Sequence, residues 1–277
     1  MCVSIFIQTL NEEQNLPSCL DSVAWSDDVV VLDSMSTDRT EEICRERGVR
    51  FFQRRYDGRG PHQNWAMENI DFKYPWVFYL DADEHMTPEL REEICAIASN
   101  PDEKRVAFFC GRKNMFRGRW LKHSMPPGYI MRFFKPAHIR FERLVNPTPI
   151  IDGPHGYLRQ HFIHYNFSKG ITEWLERHNR YSTYEAVEQI RALRERPINW
   201  TALFSSDANT RRIEAKNISF RLPFRPVLKF LLLFFVKMGF LDGRPGLTYC
   251  VLQAMYEYQI CLKIEEMRRA ERGQAPS

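Results

Sequence analysis

The first ninety residues read as apolar blocks separated by short polar stretches. Val3 to Thr9 mixes β-branched, aromatic and polar residues and predicts a strand. A helix is expected from about Asn15 to Ala24. Asp28 to Asp33, DVVVLD, predicts a second strand buried on both faces. Ser36 is placed to cap a helix that runs to about Arg47 and stops at Gly48. Arg50 to Gln53 predicts a third strand, Gly58 to Pro61 a loop, and His62 to Ile70 a third helix. Trp76 to Leu80 is short, apolar and aromatic, follows Pro75, and runs directly into Asp81-Ala82-Asp83-Glu84. It predicts a fourth interior strand ending in carboxylates. Thr87, Pro88 and Glu89 then supply the N-cap, first position and first-turn acid of another helix. This alternation predicts an α/β fold with a parallel sheet and helices on both faces.

The pattern changes between Arg105 and Phe167, where short strands and loops are expected. Arg132 lies in the strand Met131 to Lys135 between apolar neighbours, a setting that calls for a buried anionic partner. Lys169 to Arg196 is a charge-laced helix ended by Pro197, and a polar linker runs to about Asn209. Arg221 to Leu241 predicts an apolar helix with Arg225, Lys229 and Lys237 on one side. Its core, Phe230 to Val236, is shorter than the roughly 20 residues a bilayer crossing needs. Such a helix packs in protein, joins two copies of the chain, or lies in a membrane interface with its cations on phosphates. Gly239, Asp242-Gly243 and Gly246 are expected to form a turn before a last helix, Leu247 to about Arg272.

A chain of 277 residues buries one large core or two modest ones. Its net charge of +4 gives no reason to expect nucleic acid as a partner. The seven cysteines are scattered, without zinc or redox spacing, and read as reduced core residues of a cytosolic protein with no signal peptide. The carboxylates after the fourth strand carry the candidate chemistry. Asp81 and Asp83 are two apart, so an extended backbone points both to one side, at the sheet edge where ligands bind. They repel unless a cation lies between them, and a hard divalent ion holding a diphosphate meets that need. They could instead be turn residues before the next helix, but Thr87 already caps it. The same edge would gather Thr9, Asn11 and Asp33 into a nucleotide-sized cleft. Neither Gly-x-Gly-x-x-Gly nor a Walker loop is present, which disfavours a dinucleotide site.

The runs VSIFIQTLNEEQNLPSCLDSVAWSDDVVVLDSMSTDRTEEI, YLDADEHMTPEL and GFLDGRPG resemble family 2 glycosyltransferases of GT-A fold. They are most similar to the branch with bacterial lipopolysaccharide-core glucosyltransferases and related exopolysaccharide enzymes, and the likeness covers nearly the whole chain. It implies a Rossmann-like GT-A domain over residues 1–167, with a mostly parallel sheet and flanking helices, and a helical region over 168–277. It also implies metal-dependent, inverting transfer from a nucleoside-diphosphate sugar, with UDP-sugar expected, to an acceptor hydroxyl. Mn2+ or Mg2+ is the implied cofactor, and a lipid-linked saccharide or lipid A-core the implied acceptor. The protein would be cytoplasmic and would dock on the inner membrane, or self-associate, through its late helices.

The resemblance assigns Thr9, Asn11 and Glu13 to the nucleoside and Asp33 to the uracil or ribose. Ser34 stands where the wider family often has a second Asp, and Gln63 and Asn64 match polar residues near the cleft. Asp81 would contact ribose or metal, Asp83 would bind the metal, and Arg132 would add positive charge beside the diphosphate. His164, in a His-Tyr-x-Phe run, would reach the metal or diphosphate; the alternative is a hydrogen-bonded core histidine. Close relatives often carry Val-His-Glu where this chain has Val145-Asn146-Pro147. That leaves Glu142, Glu84 and Asp152 as candidate bases, Glu142 first because it ends a strand. A rival reading is a non-catalytic assembly protein that has lost its base, but the retained Asp33, Asp81 and Asp83 argue against it.

Overall fold

The computed structural model describes residues 3–142, 148–195 and 197–274. The chain divides into two compact units, Met1–Trp120 with Pro127–Ser168, and Leu121–Pro126 with Lys169–Ser277.

The first unit alternates strand and helix: β1 Ser4–Thr9, α1 Leu16–Val23, β2 Val29–Asp33, α2 Thr40–Glu46, β3 Arg50–Gln53, α3 Arg59–Asn69 and β4 Val77–Asp81. The short β5 Glu84–His85 and α4 Pro88–Ala98 follow. Then come β6 Ala107–Phe116, β7 Arg119–Trp120, β8 Tyr129–Phe134, β9 Ile139–Glu142, β10 Thr148–Ile151 and β11 His155–His164. The main sheet runs β3-β2-β1-β4-β8-β6-β11-β5, with β7 on β6 and a separate β9–β10 pair. β1 to β4 pair in parallel, as their continuous apolar runs require. β8 is antiparallel to both β4 and β6, and β11 is parallel to β6, so the sheet is mixed beyond β4.

One face buries Ile5, Val31, Phe78, Leu80, Phe108, Phe133 and Phe162 with α1 and α4 residues, including Leu16, Leu20, Leu90 and Ile94. The other buries Phe6, Leu32, Tyr79, Met131 and Phe134 with Ala66 of α3 and Ile70 just beyond its end. Thr87 caps α4 by accepting the Leu90 N–H at 3.2 Å. Ser36 does not cap α2. Its hydroxyl and amide both donate to Asp33, and the helix starts four residues later behind Arg39. α3 begins at Arg59 rather than His62, so the expected loop supplies a helical first turn.

In the second unit, α5 Gly170–Glu195 packs on α8 Gly243–Glu271 through Ala186, Ile190, Ile260 and Ile264. α6 Ala208–Ser219 and α7 Arg225–Leu231 lie between them in sequence. The single helix expected over Arg221 to Leu241 is broken. α7 passes into a π-helical turn at Leu232–Val236 and a 3-10 turn at Gly239–Asp242, and Phe224 and Met238 take positive φ angles of 53° and 58°. Arg225 is buried in an ion pair with Glu257, so it leaves the exposed row expected with Lys229 and Lys237. Gly246 lies within α8 rather than in a turn, because its missing side chain is needed there: a Cβ would sit 2.3 Å from the Gly239 carbonyl oxygen. Asp242 accepts the Ser124 N–H and O–H, each at 2.7 Å, and the amides of Lys122 and His123. The GFLDGRPG run is thus a packing device that gathers the 121–126 segment. Among the described residues, Cys19, Cys44, Cys95, Cys110, Cys250 and Cys261 are free thiols, and no helix is long and apolar enough to cross a membrane.

Candidate active site

β1, β2, β4, β6 and β11 all run in one direction, since β8 reverses twice between β4 and β6. Their carboxyl ends bring Thr9, Asp33, Asp81, Asn114 and His164 to a single edge of the sheet. At one end of it the loops after β1 and β2 are laced together. Asp33 is fully buried and accepts from the Thr9 hydroxyl at 2.9 Å, the Ser36 amide at 2.7 Å and the Gln53 amide at 3.2 Å. Asn11, at φ 55°, accepts the Thr37 N–H at 2.8 Å, and Glu13 accepts the Arg39 N–H at 3.1 Å. Asp33 therefore ties these two loops together, and contact with a base or ribose would require one of these donors to give way. The Ser34 hydroxyl lies 3.3 Å from Nε2 of the buried His62, whose Nδ1 is 3.1 Å from Arg54. Burial and the Arg54 charge lower the proton affinity of that imidazole.

At the end of β4, Asp81 is held by three donors. Arg59 reaches its two oxygens at 3.1 and 2.9 Å, Arg132 donates at 2.9 Å and the Tyr79 hydroxyl at 2.5 Å. Burial works against the charge of this carboxyl, but Arg59, Arg132 and Tyr79 outweigh it and hold it well below the usual carboxylate range. Arg132 is buried over the Tyr79 ring at 4.3 Å and pairs at 2.7 Å with Glu84, which is fully buried. The anionic partner expected for Arg132 is thus Glu84 together with Asp81. The second Glu84 oxygen accepts the Asp81 amide at 2.9 Å. Burial pushes the Glu84 carboxyl up to about 7, against the pull of Arg132.

Asp83 and His164 face each other beyond this cluster, with Nε2 3.4 Å from Oδ2. His164 Nδ1 lies 3.0 Å from Asn114 Oδ1, an acceptor that orients the ring, and Nε2 is the nitrogen turned toward Asp83. Two neighbouring ligands on one octahedral ion with bonds of about 2.1 Å lie about 3.0 Å apart, so a small divalent cation would draw Asp83 and His164 together by a few tenths of an ångström. Their oxygen and imidazole donors suit such a cation, although among the described residues no three His, Cys, Asp or Glu side chains converge on one point. Ligand oxygens and water would complete the shell.

The remaining predicted residues separate. Asn64 exchanges two 2.8 Å bonds with the backbone of Phe141, so it clamps β9 to α3 instead of lining the cleft. Gln63 is buried in α3 with Oε1 unpaired. Glu84 is excluded as a base by its burial and its two engaged oxygens. Asp152 is excluded by position. It precedes β11, whose ten residues span about 30 Å, and its end of the strand lies beside Val106, away from His164. Glu142 is exposed at the end of β9, one residue beyond the Asn64 clamp. Val145-Asn146-Pro147 lies outside the described residues.

Arg59 falls in the expected loop Gly58 to Pro61, and no local signal marks it as a partner of Asp81. Arg112, with Arg117, Arg119 and Lys122, belongs to the basic stretch around Trp120 where acceptor or leaving-group phosphates are expected. Arg112 sits on β6 two residues before Asn114 and so shares its face of the strand. Its Nε is buried without a hydrogen-bond partner, and its side chain makes no ion pair among the described residues. Burial weighs against its charge, while nearby Glu84, Asp81 and Asp83 favour it. Arg132 is committed to Asp81 and Glu84, whereas Arg112 makes no ion pair among the described residues.

Residues 4–165 match the family described as glycosyl transferase family 2. The lipopolysaccharide core biosynthesis glycosyltransferase LpsC of Rhizobium meliloti is 25% identical over 265 residues, covering 93% of this chain and 92% of that protein. An uncharacterized glycosyltransferase of Rickettsia typhi, RT0209, is 24% identical over 284 residues, covering 98% and 89%. Among solved structures, S. aureus TarS 1-349 in complex with UDP-GlcNAc aligns at 16% identity and a TM-score of 0.44, covering 100% of this chain and 93% of that one. Glucosyl-3-phosphoglycerate synthase of Mycobacterium tuberculosis, in complex with Mn2+ and UDP among others, aligns at 22% identity and a TM-score of 0.32, covering 42% and 44%.

Proposed function

Because the chain belongs to glycosyl transferase family 2, we propose that it moves a hexose from a UDP-sugar to a hydroxyl of a lipid-linked or lipopolysaccharide-core saccharide, inverting the anomeric carbon. The observation that carries this reading is the Asp83–His164 pair, with the His164 ring oriented by Asn114 and with Arg112 on the same face of β6 as Asn114. Asp83 and His164 would hold Mn2+ or Mg2+, and a cation there offsets charge on the departing diphosphate. The Arg112 guanidinium, which makes no ion pair among the described residues, would meet the same phosphates. Arg59 and Arg132 keep Asp81 ionised and fixed in place, and the laced Thr9–Glu13 and Asp33–Arg39 loops would form the nucleoside wall.

In the displacement, the acceptor oxygen bonds to the anomeric carbon as its proton passes to a carboxylate, and the bond to the β-phosphate oxygen breaks with its electrons leaving on the diphosphate. Glu142 is our candidate for that carboxylate. Glu142→Gln is expected to lower transfer about 100-fold or more with nucleotide affinity unchanged. Undiminished transfer would assign the base to another residue. The reading as a whole is tested by titrating the protein calorimetrically with UDP, GDP and dTDP, with and without Mn2+. One nucleotide binding only with metal supports it; no binding under any condition refutes it.

Lipid docking by the helical unit is supported by its exposed apolar run. Phe224 is 79% and Val236 70% exposed, alongside Phe235, Leu231 and Leu232, with Lys237 also exposed nearby. The protein is expected to co-float with vesicles containing phosphatidylglycerol and to lose this after Phe235→Ser with Val236→Ser. Vesicle binding unaffected by both changes would remove this surface from the account.

A further inference from the structure

The sheet face that buries Tyr79, Met131 and Phe134 beneath α3 continues onto β6 and β11, where it opens to solvent. Six aromatic rings form an unbroken row there. His155 meets Phe109 at 5.6 Å, Phe109 meets Tyr157 at 5.4 Å, and Tyr157 meets Tyr129 at 5.3 Å. Tyr129 then meets His161 at 6.3 Å, and His161 meets Trp120 at 6.1 Å, with the Lys113 ammonium 5.2 Å over Trp120. Tyr157 is 63% and Tyr129 47% exposed. Gly111, paired with both Tyr129 and His161, makes room for the row, since a Cβ there would lie 2.4 Å from the His161 ring. The row runs toward the carboxyl edge of the sheet. Lys113 precedes Asn114, and His161 is three residues before His164.

Exposed rings in a continuous row are costly to leave in water and mark a surface that is used. The chemistry of this one selects its occupant. The ring faces suit the C–H faces of pyranoses, and hydroxyls of the same sugars can bond the tyrosine hydroxyls, imidazole nitrogens and Lys113. A lipid surface would call for aliphatic side chains flanked by several cations, and the row contains no aliphatic residue and one lysine. A nucleic-acid strand would likewise require a run of cations along the rings. Burial and Lys113 also lower the proton affinity of His161.

We propose that the row Trp120, His161, Tyr129, Tyr157, Phe109 and His155 binds the saccharide of the acceptor and leads it to the carboxyl edge of β6 and β11. Its role as an acceptor site rests on the glycosyltransferase reading, whereas the sugar-binding chemistry does not. The test titrates the full chain, with UDP and Mn2+ present, with core oligosaccharide released from lipopolysaccharide by mild acid. Tyr157→Ala and Tyr129→Ala are each expected to weaken oligosaccharide binding about tenfold, with UDP affinity unchanged, while Tyr157→Phe, which keeps the ring and loses only the hydroxyl, weakens it by no more than about threefold. In a transfer assay the same alanine changes raise the acceptor KM and leave kcat and donor KM in place. No oligosaccharide binding by the wild type, or binding that both alanine variants retain, overturns the proposal. Failure of UDP to bind would instead refute the transferase reading. Oligosaccharide binding that the alanine variants lose would still support the surface.

Discussion

Asp83→Ala is expected to abolish metal-dependent binding of the nucleoside diphosphate and to lower transfer by about 1,000-fold or more. The Asp83 carboxylate is partly exposed and faces His164, and it makes no ion pair with Arg or Lys among the described residues. Its loss therefore leaves one imidazole to hold a cation. Folding should not suffer, because what Asp83 gives the fold is its backbone: its carbonyl accepts the Tyr165 N–H at 2.9 Å whatever the side chain. The measurement is UDP titration with and without Mn2+, beside thermal unfolding of both proteins. Equal affinity of wild type and variant in Mn2+ would take the cation away from Asp83. An unfolded variant would be replaced by Asp83→Asn, which keeps the volume and removes the charge.

Arg132→Met should act mainly on stability, lowering the free energy of unfolding by about 3–5 kcal/mol. Arg132 is buried among Tyr79, Phe162, Asp81 and Glu84, and Glu84 has no exposure through which water could replace the lost cation. Removing one partner of such a pair leaves a charge in apolar surroundings, while removing both can be nearly neutral. Arg132→Met combined with Glu84→Gln should therefore regain part of the loss. Arg132→Lys should regain less than a charge count suggests, because a single ammonium cannot reproduce the guanidinium stack and fork. Denaturant unfolding measures all three. A loss within about 1 kcal/mol for Arg132→Met would mean that this cluster is not a buried ion network.

The strand and helix pattern of the first ninety residues could be read locally because its signals are local. DVVVLD and WVFYL are buried on both faces, Thr87-Pro88-Glu89 starts a helix, and each signal spans only a few residues. Local reading failed where a distant group took over a residue. Ser36 has the chemistry of a cap, but Asp33 claims its hydroxyl. Arg225 lines up with Lys229 and Lys237 on a helical wheel, but Glu257 draws it into the protein. Asn64 looks like a cleft residue, yet the backbone of Phe141 uses both ends of its amide.

The same division holds at the site. The Asp81-Ala82-Asp83 step, the alternating elements that carry it to a sheet edge, and the likeness to a sugar-transferring family are all properties of contiguous residues. Which acid stays available is not. Asp81 and Glu84 are neutralised by Arg59 and Arg132, 22 and 48 residues away respectively, while Asp83 is left facing His164. The aromatic row draws its rings from four strands. Sequence alone specified the residue types and the local backbone that presents them. Only the tertiary structure decided which charges cancel and which remain free for a ligand, because a charge pairs with whatever the fold brings within a few ångströms.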